Sequence, residues 1–125
     1  MLLSEEMWGC VVGWKEVSAR MMWVKLRTED VSWVFVSAYG HGSEKERKEF
    51  WSDLNECVES VGRNVNVVLM GDLNARVEDE QVDGVIEKYG VPGRNRRGEK
   101  MLEICKEKLV VANTVFNKSD VHKYL

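Results

Sequence analysis

A chain of 125 residues, 44% hydrophobic and 31% charged, is long enough for one domain with a real core, and its composition is that of an ordinary soluble globular protein. A net charge of −3 excludes a uniformly basic nucleic-acid-binding surface and leaves room only for a local basic rim. One proline, no Ser/Gly-rich tract and no internal repeat argue against a linker, so residues 1–125 read as one unit.

Cys10, Cys57 and Cys105 are widely spaced and contain no CxxC pair. They form neither a disulfide framework nor a zinc signature, and read as reduced, buried thiols of a nuclear or cytoplasmic protein. Met1-Leu2-Leu3 runs at once into Ser4-Glu5-Glu6, which is no signal-peptide core, and no apolar run approaches the length of a membrane span.

The chain opens with two segments, 7–17 and 20–27, dominated by tryptophan and β-branched residues. With a turn at Ser18-Ala19 they predict a pair of antiparallel strands. Residues 32–39 (SWVFVSAY) predict a third strand, and their nearly continuous apolar run predicts burial on both faces. Ser43 then opens a helix. Ser43 and Glu46 have capping-box spacing, and Phe50, Leu54, Cys57, Val58 and Val61 recur as one apolar stripe up to Gly62.

Residues 65–70 (VNVVLM) predict a short strand running into Gly71-Asp72. Residues 75–98 read as loop, being charged and broken by Gly84, Gly90, Pro92 and Gly93. Residues 99–108 read as a helix with Met101, Leu102 and Cys105 inward, 109–112 as a last strand, and 113–125 as a polar, irregular tail. Strands, helix, strand, loop, helix and strand make an α/β pattern.

Three places hold polar residues where chemistry would sit. Gly71-Asp72-Leu73-Asn74 lies at the end of an apolar strand, where ligand sites of layered α/β proteins gather. In an extended segment Asp72 and Asn74 point to one side, and a carboxylate beside a carboxamide suits phosphodiester hydrolysis. By themselves the four residues read first as a turn. Tyr39-Gly40-His41-Gly42 ends the preceding strand. Tyr39 there could donate to a phosphate, although such a tyrosine is more often half-buried packing, and a lone loop histidine is usually neither general acid nor ligand. Gly93-Arg94-Asn95-Arg96-Arg97-Gly98, with Lys100, is basic and glycine-flanked just before a helix. It could cradle phosphates, or Asn95 could be a cap and the arginines a solvated face.

Taken in order, SAYG, EFW, VVLMGDLNARV, GVPGRNRRGEKMLEIC, VVANTVF and HKY, with WGCVVGWKEVSARMMWVKL near the start, resemble the endonuclease/exonuclease/phosphatase superfamily. Within it they resemble the endonuclease domain of RTE-type LINE (non-LTR) retrotransposons. The resemblance covers nearly the whole chain and turns the reading of Gly71–Asn74 from turn to site. It implies a four-layer α/β sandwich, two packed sheets with helices outside, and Mg²⁺-dependent cleavage of phosphate esters, here nicking of DNA. By that resemblance Tyr39 would contact the target phosphate, Asp72 would orient or activate the attacking water, and Asn74 would hold water and phosphate. Asn95, with Arg94 and Arg97, would contact the nucleic-acid backbone.

The family's metal-binding glutamate and an early asparagine come from strands upstream of Met1, and its closing Asp-His pair from beyond Leu125. Glu5, Glu6 and His122 stand in other contexts and do not replace them, and His41 stands where the family usually has proline. The expectation is therefore the central portion of such a domain, truncated at both ends and inactive alone, with no metal ligand of its own and with uncovered sheet edges open to self-association. A non-catalytic, domesticated DNA- or protein-binding module is a second reading, and a phosphoinositide phosphatase or deadenylase branch a third.

Overall fold

The computed structural model describes residues 1–62, 64–77, 81–90, 92–106 and 109–116. The chain divides into two compact units, Met1–Leu73 and Asn74–Leu125, and the boundary falls just past a strand end instead of at a linker.

The first unit is a four-stranded mixed sheet with one long helix. Ser4 caps a short helix, α1 (Glu5–Gly9), its hydroxyl accepting from the Met7 amide at 3.3 Å, with Glu5 and Glu6 in the first turn. The first strand, β1 (Val11–Ser18), therefore starts later than the tryptophan-rich run predicts: local capping takes Met7 and Trp8 into a helix. A two-residue turn, in which the Ser18 hydroxyl accepts from the Arg20 amide, leads to β2 (Met21–Arg27), and β3 (Ser32–Tyr39) pairs antiparallel with β2. After α2 (Glu44–Ser60), β4 (Asn66–Asp72) returns parallel to β3, so the sheet order is β1-β2-β3-β4. These strands and helices bear out the α/β class.

Burial in β3 alternates, contrary to the expectation of two buried faces. Val34, Val36 and Ala38 are buried, whereas Trp33, Phe35, Ser37 and Tyr39 of the other face are half-buried or exposed. The register places Met21, Trp23, Val67 and Leu69 on the Val36 face. The apolar stripe of α2 (Phe50, Leu54, Cys57 and Val58, all buried) completes the core there. Lys15, the β1 partner of Trp23, lies on the same face. On the opposite face Val24 and Leu26 are buried, and the N-terminal segment through Leu3 and Trp8 borders a hollow with Trp14, Met22 and Val24. Trp14 and Trp33 stay 62% and 37% exposed, so this face is covered only in part.

The start of α2 is tied to the hairpin. The capping box forms in full: Ser43 accepts from the Glu46 amide, and Glu46 accepts from the Ser43 amide at 2.7 Å. Glu46 also accepts from Arg20 at 2.6 Å, and the same guanidinium donates to the His41 carbonyl.

The second unit has its own core of Val77, Val85, Ile86, Leu102 and Cys105, with Val82, Met101, Leu109 and Val111 against it. Of the stretch read as loop, the described residues 75–77, 81–90 and 92–95 are irregular as expected, with isolated bridges Val77–Arg94 and Val82–Ile86, yet they supply three of those core residues. The helix here, α3 (Arg96–Cys105), starts three residues before its predicted beginning because Asn95 caps it. The strand expected over 109–112 does not form. Val111 makes a backbone bond to Val85 at 2.8 Å, and a 3-10 turn (Ala112–Thr114) comes next. Its apolar residues pack on the core, and one such bond is not a ladder. The last two residues of the predicted helix, 107–108, and the tail 117–125 with His122 lie outside the described residues. Cys57 and Cys105 are buried as expected, and burial raises both thiols, Cys105 to about 11; Cys10 is only half-buried.

The hydrogen bonds from Ser43, and then from Arg20, hold the Glu46 carboxyl at about 2 against an ordinary 4.5. A depressed folded-state value stabilises the fold above the unfolded value and loses that contribution as pH falls through the folded one. Stability should therefore decline between about pH 4.5 and pH 2 in part through this group. In Glu46→Gln that part of the decline should disappear, read from urea midpoints at both ends of the window.

Candidate functional site

The C-terminal ends of β3 and β4 lie side by side in register, Ala38 with Gly71 and Tyr39 with Asp72. Two glycines make this possible. Gly71 has φ 124°, and a Cβ on it would stand 2.0 Å from the Ala38 carbonyl oxygen. A Cβ on Gly40 would meet the Leu73 carbonyl oxygen at 2.5 Å. The Gly40 amide donates to the Asp72 carbonyl at 2.7 Å, closing the pair past the last ladder position. The sequence SAYG and, later, MGDL thus mark a pair of strand ends that must touch backbone to backbone.

Tyr39 and Asp72 share the less covered face and line a groove of about 510 Å³ with Trp14, Glu16, Met22 and Ser37. Tyr39 is 49% exposed and stacks on His41, with ring centroids 5.8 Å apart. His41 is exposed and serves as a stacking partner of Tyr39, while its carbonyl receives Arg20. Trp14, Glu16 and Met22 went unread as site residues. Their signal was the two-residue alternation of β1 and β2, whose pairing puts Trp14 and Glu16 opposite Val24 and Met22.

The remaining predicted residues belong to the second unit. Asn74 is left-handed, with φ 51°, a conformation asparagine tolerates. The extended geometry that would point Asp72 and Asn74 to one side therefore does not continue past the strand. Asn95 is a structural node. Its side-chain oxygen accepts from Gly98 at 2.8 Å and from Arg76 at 3.1 Å, and its amide donates to the Asn74 carbonyl at 3.2 Å. That is the cap anticipated as one of its two readings. Gly98 lets the first helical turn close on this loop, since a Cβ there would fall 1.7 Å from the Arg76 carbonyl oxygen. Arg94 and Arg96 are exposed and Arg97 is half-buried, while Lys100 is held by Glu103 at 2.7 Å. Within the first unit Tyr39 thus meets Asp72, and within the second unit Asn95 meets Asn74.

The described residues do not make a magnesium site by themselves. Among the described residues no three or more His, Cys, Asp or Glu side chains gather to hold an ion. Glu16 and Asp72 line one groove but sit on β1 and β4, the outer strands of the sheet. At ordinary strand spacing they stand roughly 14 Å apart, too far to share a cation bound at about 2.1 Å. No helix among the described residues is long and apolar enough to cross a membrane.

No protein-family model and no solved structure matches the chain. Two curated proteins do, over 99% of its length: craniofacial development protein 2 of Bos taurus, 22% identical, and craniofacial development protein 2 of Tragulus javanicus, 20% identical. The similarity is distant, and the chain spans 22% of the length of each of these relatives.

Three substitutions test these constraints. Gly71→Ala should destabilise the fold by about 3 kcal/mol or more, because both the clash and the left-handed φ must be relieved. Gly84→Ala, at φ 70° with nothing near its Cβ, should cost only about 1–2 kcal/mol. Asn95→Ala removes a helix cap and leaves two backbone amides without their acceptor, an expected loss of about 1–3 kcal/mol. Equal losses at Gly71 and Gly84, measured by chemical denaturation, would show that close approach at the strand ends is not the constraint.

Proposed function

We propose that this chain corresponds to the central portion of an endonuclease/exonuclease/phosphatase domain, akin to the DNA-nicking enzymes of RTE-type LINE retrotransposons, and that it contacts nucleic acid without cleaving it alone. The observation that carries this reading is the in-register placement of Tyr39 and Asp72 at the carboxyl ends of two parallel strands, above an open groove. Ligand sites of α/β sheets form at such strand ends. In this reading the Tyr39 hydroxyl donates to a phosphate oxygen and the Asp72 carboxylate holds a water beside it, with Asn74 nearby in sequence. The half-covered sheet face would be the inner face of a two-sheet sandwich.

Arg94, Arg96 and Arg97 supply the local basic rim. Arg96 and Arg97 occupy the first turn of α3, where the helix dipole is already positive. Cations there are mildly unfavourable until an anion joins them, which suits contact with a phosphate backbone in the nucleus or cytoplasm. Magnesium chemistry would require ligands beyond those gathered among the described residues, so no hydrolytic step is assigned to it. A purely non-catalytic binding module has one observation in its favour: the Asn95 side chain makes three hydrogen bonds that cap and cross-link its own loop.

The purified chain should leave supercoiled plasmid intact in Mg²⁺ while binding duplex DNA in a salt-dependent manner, monitored by fluorescence anisotropy. Replacing both Arg94 and Arg97 by Ala should weaken binding several-fold and flatten its salt dependence by about two phosphate contacts. Nicking that disappears in Asp72→Ala would mean the chain completes the site itself. Absence of DNA binding at low salt would remove the nucleic-acid reading.

A further inference from the structure

The two edges of the first unit's sheet are unlike. The β1 edge is interrupted by register irregularities between Val11 and Gly13 and between Glu16 and Ser18, and carries Lys15 and Glu16 at its centre. Bulges and charges of this kind are what keep an edge from pairing with another chain. The β4 edge has neither. Asn66–Asp72 runs in unbroken register along β3, contains no proline, lysine or arginine, and has Asp72 as its single charge. Val67, Val68 and Leu69 are half-buried, and Met70 is 39% exposed. Among the described residues no backbone hydrogen bond joins residues 66–70 to anything beyond β3.

We propose that the outer edge of β4 is a docking edge for a second copy of this chain, whose own β4 adds to it antiparallel across a two-fold axis, independently of the nucleic-acid reading. The strand is self-complementary in the way such an axis requires. With Val68 opposite its symmetry mate, Val67 faces Leu69 of the other copy on the α2 side of the sheet, and Asn66 faces Met70 on the other side. The pairing sets no two like charges opposite each other and leaves Asp72 outside the apolar segment. It joins two four-stranded sheets into one and keeps both α2 helices on the same face, because an axis perpendicular to the sheet does not exchange its sides. An edge of about five residues buries much less than a standard interface, so the dimer is weak and concentration-dependent.

Sedimentation of the 125-residue chain across a wide concentration range tests this. The mass should rise from monomer to dimer. Met70→Lys, at an exposed position, should weaken association at least about tenfold with an unchanged circular dichroism spectrum, since an edge lysine opposes strand addition. Val12→Lys, on the interrupted β1 edge, should dimerise like the native chain. A monomer at every concentration, open-ended aggregation in place of a dimer, or association untouched by Met70→Lys would each overturn the proposal, as would loss of the dimer in Val12→Lys. If Met70→Lys unfolds, hydrogen exchange of the native chain decides: slower exchange of the 67–70 amides at high concentration supports β4 pairing, and no change refutes it.

Discussion

At the ends of β3 and β4 two backbones run so close that no side chain fits between them. The Ala38 carbonyl occupies the space a Cβ on Gly71 would take, and the Leu73 carbonyl does the same for Gly40. Because these contacts are backbone to backbone, no rotamer change relieves a substitution. The geometry of the groove depends on them: Tyr39 and Asp72, far apart in sequence, become neighbours on the same face. The crossover through α2 serves this arrangement, since two parallel strands cannot be joined by a tight turn and need a connection of about a dozen residues or more.

The N-terminus of α2 extends the same constraint to the opposite strand connection. Tyr39 donates its amide to the Arg20 carbonyl, while the Arg20 side chain holds Glu46 and the His41 carbonyl. One residue of the β1–β2 turn thus steadies both the end of β3 and the first turn of the helix. The second unit solves a similar problem with Asn95, whose single side chain binds three backbone groups from residues 74, 76 and 98. The two nodes differ in what they leave over. Tyr39 remains half in solvent, whereas the Asn95 side chain makes three hydrogen bonds within its own loop.

The sheet is finished on one face and open on the other. On the Val36 face, Val36 and Leu54 of α2 have no exposed surface, while Trp23, Val67 and Leu69 around them are half-buried. Across the sheet Trp14, Trp33, Tyr39 and Met70 remain exposed, an apolar patch of the kind that proteins commonly cover or use.

The amino-acid sequence by itself determined the features that local interactions decide. The α2 helix could be read from Ser43, Glu46 and the Phe50–Leu54–Cys57–Val58 stripe, because a capping box and a 3.6-residue period act within a few turns of chain. The β1–β2 hairpin and the strands at β3 and β4 were legible from the same short-range patterns, and the touching glycines were visible as residues though not as contacts. Tertiary structure decided the rest. Val85 and Ile86 lie in a charged, glycine-broken stretch, and only their meeting with Leu102 and Cys105 makes them core. Residues 109–112 have a strand's composition but no ladder to join, so only Leu109 and Val111 pack on the core. In β3 an unbroken apolar run was divided into a buried and an open face by the placement of one helix. Each of these outcomes depends on surface supplied by residues distant in sequence, and burial is a property of that pairing, which no local pattern contains.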